Sequence, residues 1–309
     1  MKKVLITGIE GFVGSYLAEY LSYKRYKIYG IYFAEPIKRI GKLYHCDVRD
    51  YANTFKIIKE IRPDAIYHLA AQSSVSQGEK NILDTFSVNV GGTLNILESM
   101  RQAKLKSRII YISSCAVYGR SNTRLTETSQ TRPISFYATT KLCAENLCQY
   151  YTRNYELDII ILRPFSHTGP GQSEHFVFPR IIRYVTEIEA GLKKPLMTVG
   201  NINIRHDYLD ILDVIQAYEL SLSKCQKGEI YNITTGKPRL IRTDIEYIAS
   251  LIDTPIRITV DKSLVRTNDL TLLTGSADKF RELTGWKPKI DFHTTLANLL
   301  NYYRKKLLD

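Results

Sequence analysis

Val4-Leu5-Ile6-Thr7-Gly8-Ile9-Glu10-Gly11-Phe12-Val13-Gly14 opens the chain with an apolar run, three glycines and the start of an amphipathic stretch. The apolar run reads as a buried strand and residues 12–24 as a helix, so the glycines fall in the turn between them. Gly8 suits the tight turn itself, Gly11 lets backbone approach a pyrophosphate, and Gly14 lets the helix lie close against the strand. Phe12 and Val13 begin a helix whose amino end offers N–H groups to an anion. Glycine-rich turns are common, but one at the first strand-to-helix turn of a series is where a dinucleotide's diphosphate binds.

Outward from that turn the series continues. Apolar runs at 28–33, 43–47, 65–71, 109–114 and 159–165 alternate with amphipathic stretches at 52–61, 82–104 and 136–153. Near-continuous apolar strands separated by helices predict an α/β fold, a doubly wound parallel sheet of the Rossmann kind covered on both faces. We place it over residues 1–165, with part of 206–235 returning to it. After residue 165 the rhythm breaks into loops at 167–171 and 193–203, then helical stretches near 210–223, 242–252, 276–284 and 293–307 and a strand at 229–234. This reads as a smaller α/β carboxyl-terminal lobe, residues 166–309, serving the substrate. No linker separates the halves, so a cleft between them is the expected ligand site.

Composition excludes several classes. The 309 residues are 44% hydrophobic and 24% charged, which is ordinary for a globular protein. The net charge of +12 attracts anions without choosing among them. Basic residues are dispersed, and short clusters such as Lys193-Lys194 and Arg304-Lys305-Lys306 suit helix ends and solvated faces, so nucleic acid is set aside as a partner. No apolar stretch reaches membrane-spanning length, and Gly8, Glu10 and Gly11 break the run after Met1-Lys2-Lys3 too early for a signal peptide. Five cysteines without a CxxC pair or a Cys/His cluster indicate neither a disulfide framework nor a metal site, and fit a cytoplasmic protein.

The GxxGxxG spacing of Gly8, Gly11 and Gly14 departs from GxGxxG. It resembles the extended short-chain dehydrogenase/reductase superfamily, and the resemblance continues through Asp47-Val48, Leu69-Ala70-Ala71 and Asn89-Val90-Gly91-Gly92-Thr93. It implies that Asp47 and Val48 hold an adenine and that Leu69, Ala70, Ala71 and Asn89 flank the cofactor. The second strand ends Ile31-Tyr32-Phe33, with Tyr32 where a carboxylate for the ribose 2′-hydroxyl would stand. Lys38 and Arg39 follow closely and suit a 2′-phosphate. The cofactor reading is therefore NADP or NAD, leaning to NADP.

Tyr137 and Lys141 stand four apart in a helical stretch after Pro133, and so share one face. An ammonium beside the phenol is expected to lower its pKa from about 10 toward the working range. With 22 tyrosines in the chain, YxxxK alone is weak. Ser113-Ser114-Cys115-Ala116-Val117-Tyr118-Gly119 supplies context, because in the superfamily the hydroxyl four before that tyrosine polarises the reacting oxygen. The resemblance thus implies Ser114, Tyr137 and Lys141 as catalytic residues.

Pro164, Phe165 and His167 lie in the segment that borders nicotinamide in nucleotide-sugar enzymes, and Ser166 is on its substrate side. The later segments most resemble those of GDP-4-keto-6-deoxy-D-mannose reductases, where arginines matching Arg205 and Arg266 grip the donor's diphosphate. Ser73, Ser74, Phe176, Val177, Arg180, Gly200 and Asn201 complete the candidate substrate set. Two departures stand out: Ser166 replaces a common asparagine, and Cys115-Ala116 replaces the acidic residues of dehydratases. Without a carboxylate pair there, water elimination is disfavoured, leaving ketone reduction, or 4-epimerisation with tightly held NAD, on a nucleotide-sugar. A non-catalytic cofactor sensor or RNA-associated protein is the rival of another class. Helices 82–104 and 136–153 carry apolar faces broad enough to join two copies as a homodimer.

Overall fold

The computed structural model describes residues 1–36, 38–261, 264 and 270–308. The amino-terminal elements are β1 (Lys3–Thr7), α1 (Phe12–Tyr23), β2 (Lys27–Tyr32), β3 (Lys42–His45), α2 (Tyr51–Ile61), β4 (Ala65–His68), α3 (Val75–Lys80), α4 (Ile82–Phe86), α5 (Gly92–Gln102), β5 (Arg108–Ile112), α6 (Phe136–Tyr155) and β6 (Ile159–Pro164). They are followed by β7 (Ser166–Thr168), α7 (Val177–Glu189), β8 (Leu196–Val199), β9 (Arg205–His206), β10 (Tyr208–Asp210), α8 (Ile211–Lys224), β11 (Ile230–Ile233), β12 (Arg239–Leu240), α9 (Ile241–Ala249), β13 (Arg257–Val260), β14 (Leu272–Leu273), α10 (Asp278–Thr284) and α11 (Phe292–Leu308).

Seven strands form one parallel sheet in the order β11-β6-β5-β4-β1-β2-β3. The chain order reverses beside β1, where an open α/β sheet leaves a crevice at the strands' carboxyl ends. Alternation along β1 explains the layers: Val4 and Ile6 face one core with Leu17 and Leu21 of α1 and Val214 and Tyr218 of α8. Leu5 faces the other, with Ile57 and Ile58 of α2, Leu97 and Met100 of α5 and Cys148 of α6. Burying each such aliphatic side chain contributes roughly 1.5–3 kcal/mol. A third core gathers α7, α9 and α11 around Phe178, Ile245 and Leu296.

Three features differ from the sequence reading, the first being that the loop expected over 193–203 contains β8, paired in parallel with β13. The stretch 82–104 is not one regular helix, because a wide π-type turn, Ser87–Gly91, separates α4 from α5. That turn buries Asn89 and aims it at backbone outside the helix. Residues 177–189, given no element above, form α7; its signal is the spacing of Phe178, Ile181, Ile182, Val185 and Ile188, all buried.

One buried ion pair clamps α6 to β6. Arg163 donates to both carboxylate oxygens of Glu145, at 2.9 and 2.6 Å, and lies over the Tyr118 ring at 4.8 Å. Both partners are almost wholly buried. Arg163→Met strands a buried carboxylate and is expected to cost about 3–5 kcal/mol in urea unfolding, with the double variant Arg163→Met/Glu145→Leu recovering most of it. Equal destabilisation in the single and double variants would refute this reading.

Candidate active site

A cavity of about 690 Å³ opens across the carboxyl ends of β1, β2, β4, β5 and β6. Its floor is the glycine turn. The Gly8 N–H donates to Ile31 O at 2.9 Å, tying the turn to β2. Gly8 has φ +69°, and a Cβ there would stand 2.8 Å from Ala70 N, while one on Gly14 would collide with the Gly8 carbonyl oxygen. Gly11 caps α1 without a side-chain hydrogen bond, and no acidic residue occupies the first turn. The positive end of α1 thus meets the cavity beside Gly11, Phe12 and Val13, a cradle fitted to a dinucleotide diphosphate.

At the inner end, Ser114 caps the short turn Cys115–Tyr118, its hydroxyl accepting from Ala116 N–H at 3.1 Å. Ser135 caps α6 and sets Tyr137 in its first turn, with Lys141 one turn on. Ser114, Tyr137 and Lys141 all line the cavity, as the spacing requires. The electrostatic expectation is corrected, however. Burial pushes the Tyr137 phenol up to about 12, and the opposing influence is a hydrogen bond with Ser114 rather than Lys141. Lys141 is instead drawn down to about 8 by burial, which Glu145 partly offsets. Its ammonium donates to Ile112 O at 2.8 Å, which anchors it to the end of β5.

The cofactor candidates divide. Tyr32, Phe33, Asp47, Val48, Leu69, Ala70, Ala71, Pro164, Phe165 and His167 line the cavity. His167 bonds Phe165 O through Nδ1 at 3.0 Å and stacks against Phe12, and burial holds its pKa down. Asn89 lies outside the lining: it accepts from Gln72 N–H at 2.8 Å and donates to Thr140 Oγ1 at 2.9 Å, bracing the wall from behind. Lys38 and Arg39 stand apart from the other cofactor candidates. They pair with Glu19 and Glu35, each at 2.8 Å, on the exposed surface and do not line the cavity.

On the substrate side Ser73, Ser74, Ser166, Phe176 and Val177 line the cavity. Arg180 opens instead onto an adjoining hollow of about 360 Å³. Gly200, Asn201 and Arg205 are not in the lining, because Gly200 packs on the Leu264 carbonyl and β9 is drawn into a small sheet with β12 and β14, which leaves Arg205 exposed. Arg266 lies outside the described residues. Sequence reasoning missed Glu10, Arg49, Asp84, Gln72, Gln172 and Tyr208 in the lining. Arg49 had a signal, its place two residues after Asp47. It grips Asp47 at 2.5 and 2.8 Å, holding that carboxyl below its usual range, and reaches Asp84 at 2.6 Å. Among the described residues no group of histidine, cysteine and carboxylate side chains is placed to hold a metal, and no helix is long and apolar enough to cross a membrane.

Sheet topology, phosphate cradle and a buried tyrosine beside a serine belong together in the NAD(P)-dependent short-chain oxidoreductases, and this chain is one of them. More narrowly, it belongs to the GDP-mannose 4,6-dehydratase family, whose model matches residues 5–299. It is 29% identical to the GDP-6-deoxy-D-mannose reductase of Pseudomonas aeruginosa, across 99% of this chain and 98% of that one. The GDP-mannose 4,6-dehydratase of Yersinia enterocolitica is 30% identical over 97% of this chain and 93% of its own length. Among solved structures, RMD from Pseudomonas aeruginosa complexed with NADPH superposes with a TM-score of 0.89 at 29% identity, covering 99% of this chain and 100% of that one.

The buried lysine predicts a measurable pH dependence. Folding lowers the Lys141 pKa from 10.5 to about 8, so the unfolded chain takes this proton more readily, and the site costs stability in full below about pH 8. Lys141→Met is expected to raise the urea midpoint at pH 7, an advantage that narrows as the pH rises from 8 toward 10.5. A midpoint unchanged or lowered at pH 7 would sink it.

Proposed function

We propose that this chain reduces the 4-keto group of a nucleoside-diphosphate-linked 4-keto-6-deoxyhexose, with GDP-4-keto-6-deoxy-D-mannose as the leading substrate. The observation that carries the reading is the chemistry of the cavity's inner end. Tyr137, Ser114 and Lys141 line it, and the carboxylates among the described lining residues are engaged elsewhere: Glu10 with the Phe33 N–H, and Asp47 and Asp84 with Arg49. In the slot between Ser114 and Tyr118 stand Cys115, whose thiol burial pushes up to about 12, and Ala116. Water elimination needs a positioned acid and base, whereas ketone reduction needs one proton donor and one polarising hydroxyl. The kinship with a GDP-6-deoxy-D-mannose reductase supports the same choice.

The residues divide the work. The Gly8–Gly14 turn and the amino end of α1 hold the dinucleotide diphosphate, Asp47 and Val48 the adenine side, and Pro164, Phe165 and His167 the nicotinamide side. When bound, the reduced nicotinamide supplies the hydride. A phenol with a pKa near 12 stays protonated at neutral pH, the form that donates to the oxygen of a ketone as it becomes an alcohol. Ser114 donates to the same oxygen and orients it. Lys141, on the same face of α6, steadies the charge that proton transfer leaves on the phenol. Ser166, Phe176 and Val177 face the sugar. In this division residues 1–165 together with β11 serve the cofactor, and most of 166–309 serves the substrate.

The test is loss of the reduced nicotinamide absorbance with GDP-4-keto-6-deoxy-D-mannose. Tyr137→Phe is expected to lower kcat by about 10²–10⁴ and Ser114→Ala by about 10²–10³, both remaining folded. No turnover by the wild type with any 4-keto-6-deoxy nucleotide-sugar, together with non-exchanging NAD and interconversion of C4 epimers, would replace reduction with epimerisation.

The same chain is proposed to pair with a second copy through α4, α5 and α6. Leu83 is 86% exposed and Ile82, Phe86, Leu94 and Tyr150 are exposed with it on these helices, an apolar face of the kind that homodimers cover. Leu83→Glu/Phe86→Glu is expected to turn a dimer into a monomer by light scattering. A wild type that is monomeric at micromolar concentration would end this proposal.

A further inference from the structure

The cavity lining carries three carboxylates, Glu10, Asp47 and Asp84, and one arginine, Arg49. Arg49 is already committed, gripping Asp47 with two nitrogens and Asp84 with a third. Glu10 is left over. Its Oε1 accepts from the Phe33 N–H at 3.0 Å, which fixes the carboxylate against the residue that follows β2. Its Oε2 is buried and has no hydrogen-bond partner in the protein.

The end of β2 is where dinucleotide enzymes discriminate: a carboxylate accepts from the ribose 2′-hydroxyl, or an arginine takes a 2′-phosphate. Here β2 ends at Tyr32 and Phe33 follows it, and neither provides such a group. The Phe33 amide holds the Glu10 side chain at that position from the phosphate turn instead. We propose that Glu10 is the cofactor-selecting residue of this chain, a carboxylate supplied by the glycine turn in place of the missing one on β2, and that the protein binds NAD(H) in preference to NADP(H). The ribose 2′-hydroxyl gains an acceptor. A 2′-phosphate meets Glu10, with Asp47 and Asp84 nearby and their one counter-cation already engaged, and this repulsion gives the discrimination. Lys38 and Arg39 are the rival clamp for a 2′-phosphate, since exposed ion pairs are weak enough to break. They are turned onto Glu19 and Glu35, away from the lining.

The inference rests on the dinucleotide reading of the cavity and is independent of which sugar is reduced. It is tested by titration calorimetry of the full chain with NADH and with NADPH, without sugar substrate. The wild type is expected to bind NADH on the order of tenfold more tightly or better, and added salt is expected to narrow the gap. Glu10→Gln keeps an oxygen for the Phe33 N–H and removes the charge, so it should bring the two constants together, mainly by tightening NADPH. Equal or tighter NADPH binding by the wild type overturns the proposal, as does an unchanged ratio in a folded Glu10→Gln. If the wild-type preference for NADPH disappears in Lys38→Met/Arg39→Met, those residues are the clamp. Binding of neither dinucleotide overturns the oxidoreductase reading itself. The wild-type ratio decides the matter even if Glu10→Gln does not fold.

Discussion

Everything in this protein is referred to the close approach of backbone at the carboxyl ends of β1, β2 and β4. The amides of Gly8 and Ile9 both donate to Ile31 O, and Gly8 leaves no room for a side chain against Ala70. Beneath them runs a buried polar chain: Thr7 Oγ1 accepts from Ala70 N–H and bonds His68, whose other ring nitrogen bonds Thr93. Burial draws the His68 pKa down to about 3, so the imidazole is neutral at working pH and the chain of hydrogen bonds carries no charge. Three strands are thus locked in register at the one edge of the sheet where the helix amino end, the cavity floor and the cavity wall must all meet. A Cβ on Gly8 would stand 2.8 Å from Ala70 N, so the turn or its neighbour would have to shift.

Burial also sets the chemistry. The same packing that shapes the cavity holds the Tyr137 proton in place, weakens the proton affinity of Lys141 and leaves Cys115 an unreactive thiol. The Arg163–Glu145 pair places opposite charges together in the interior, fastening the catalytic helix to the strand leading into Pro164 and Phe165. Among the described lining residues the carboxylates are Asp47, Asp84 and Glu10, and Arg49 is bonded to the first two.

Much of this was legible before folding was considered. Strand and helix periodicity gave the parallel sheet, and the return of residues 230–233 to its edge beside β6 follows the expectation for the later strand. The π-type turn at Ser87–Gly91 was not legible, because it arises where Asn89 must reach Gln72 and Thr140 on other elements. The direction in which Lys38 and Arg39 point was not legible for a related reason. Sequence proximity to β2 placed them near the cofactor, but the direction of a long exposed side chain is set by the carboxylates around it.

The sequence by itself determined the turn, the sheet and the identity of the groups on α6, since glycine spacing and hydrophobic period are local properties that the chain carries into any context. Only the tertiary structure decided which charges share a cavity and how strongly each group holds its proton. Those depend on burial and on distances between residues far apart in the chain: Arg49 meets Asp84 across 35 positions, and Lys141 meets Ile112 across 29. Solvent exclusion at Tyr137 is likewise a sum over several packed elements, and no stretch of the sequence contains it.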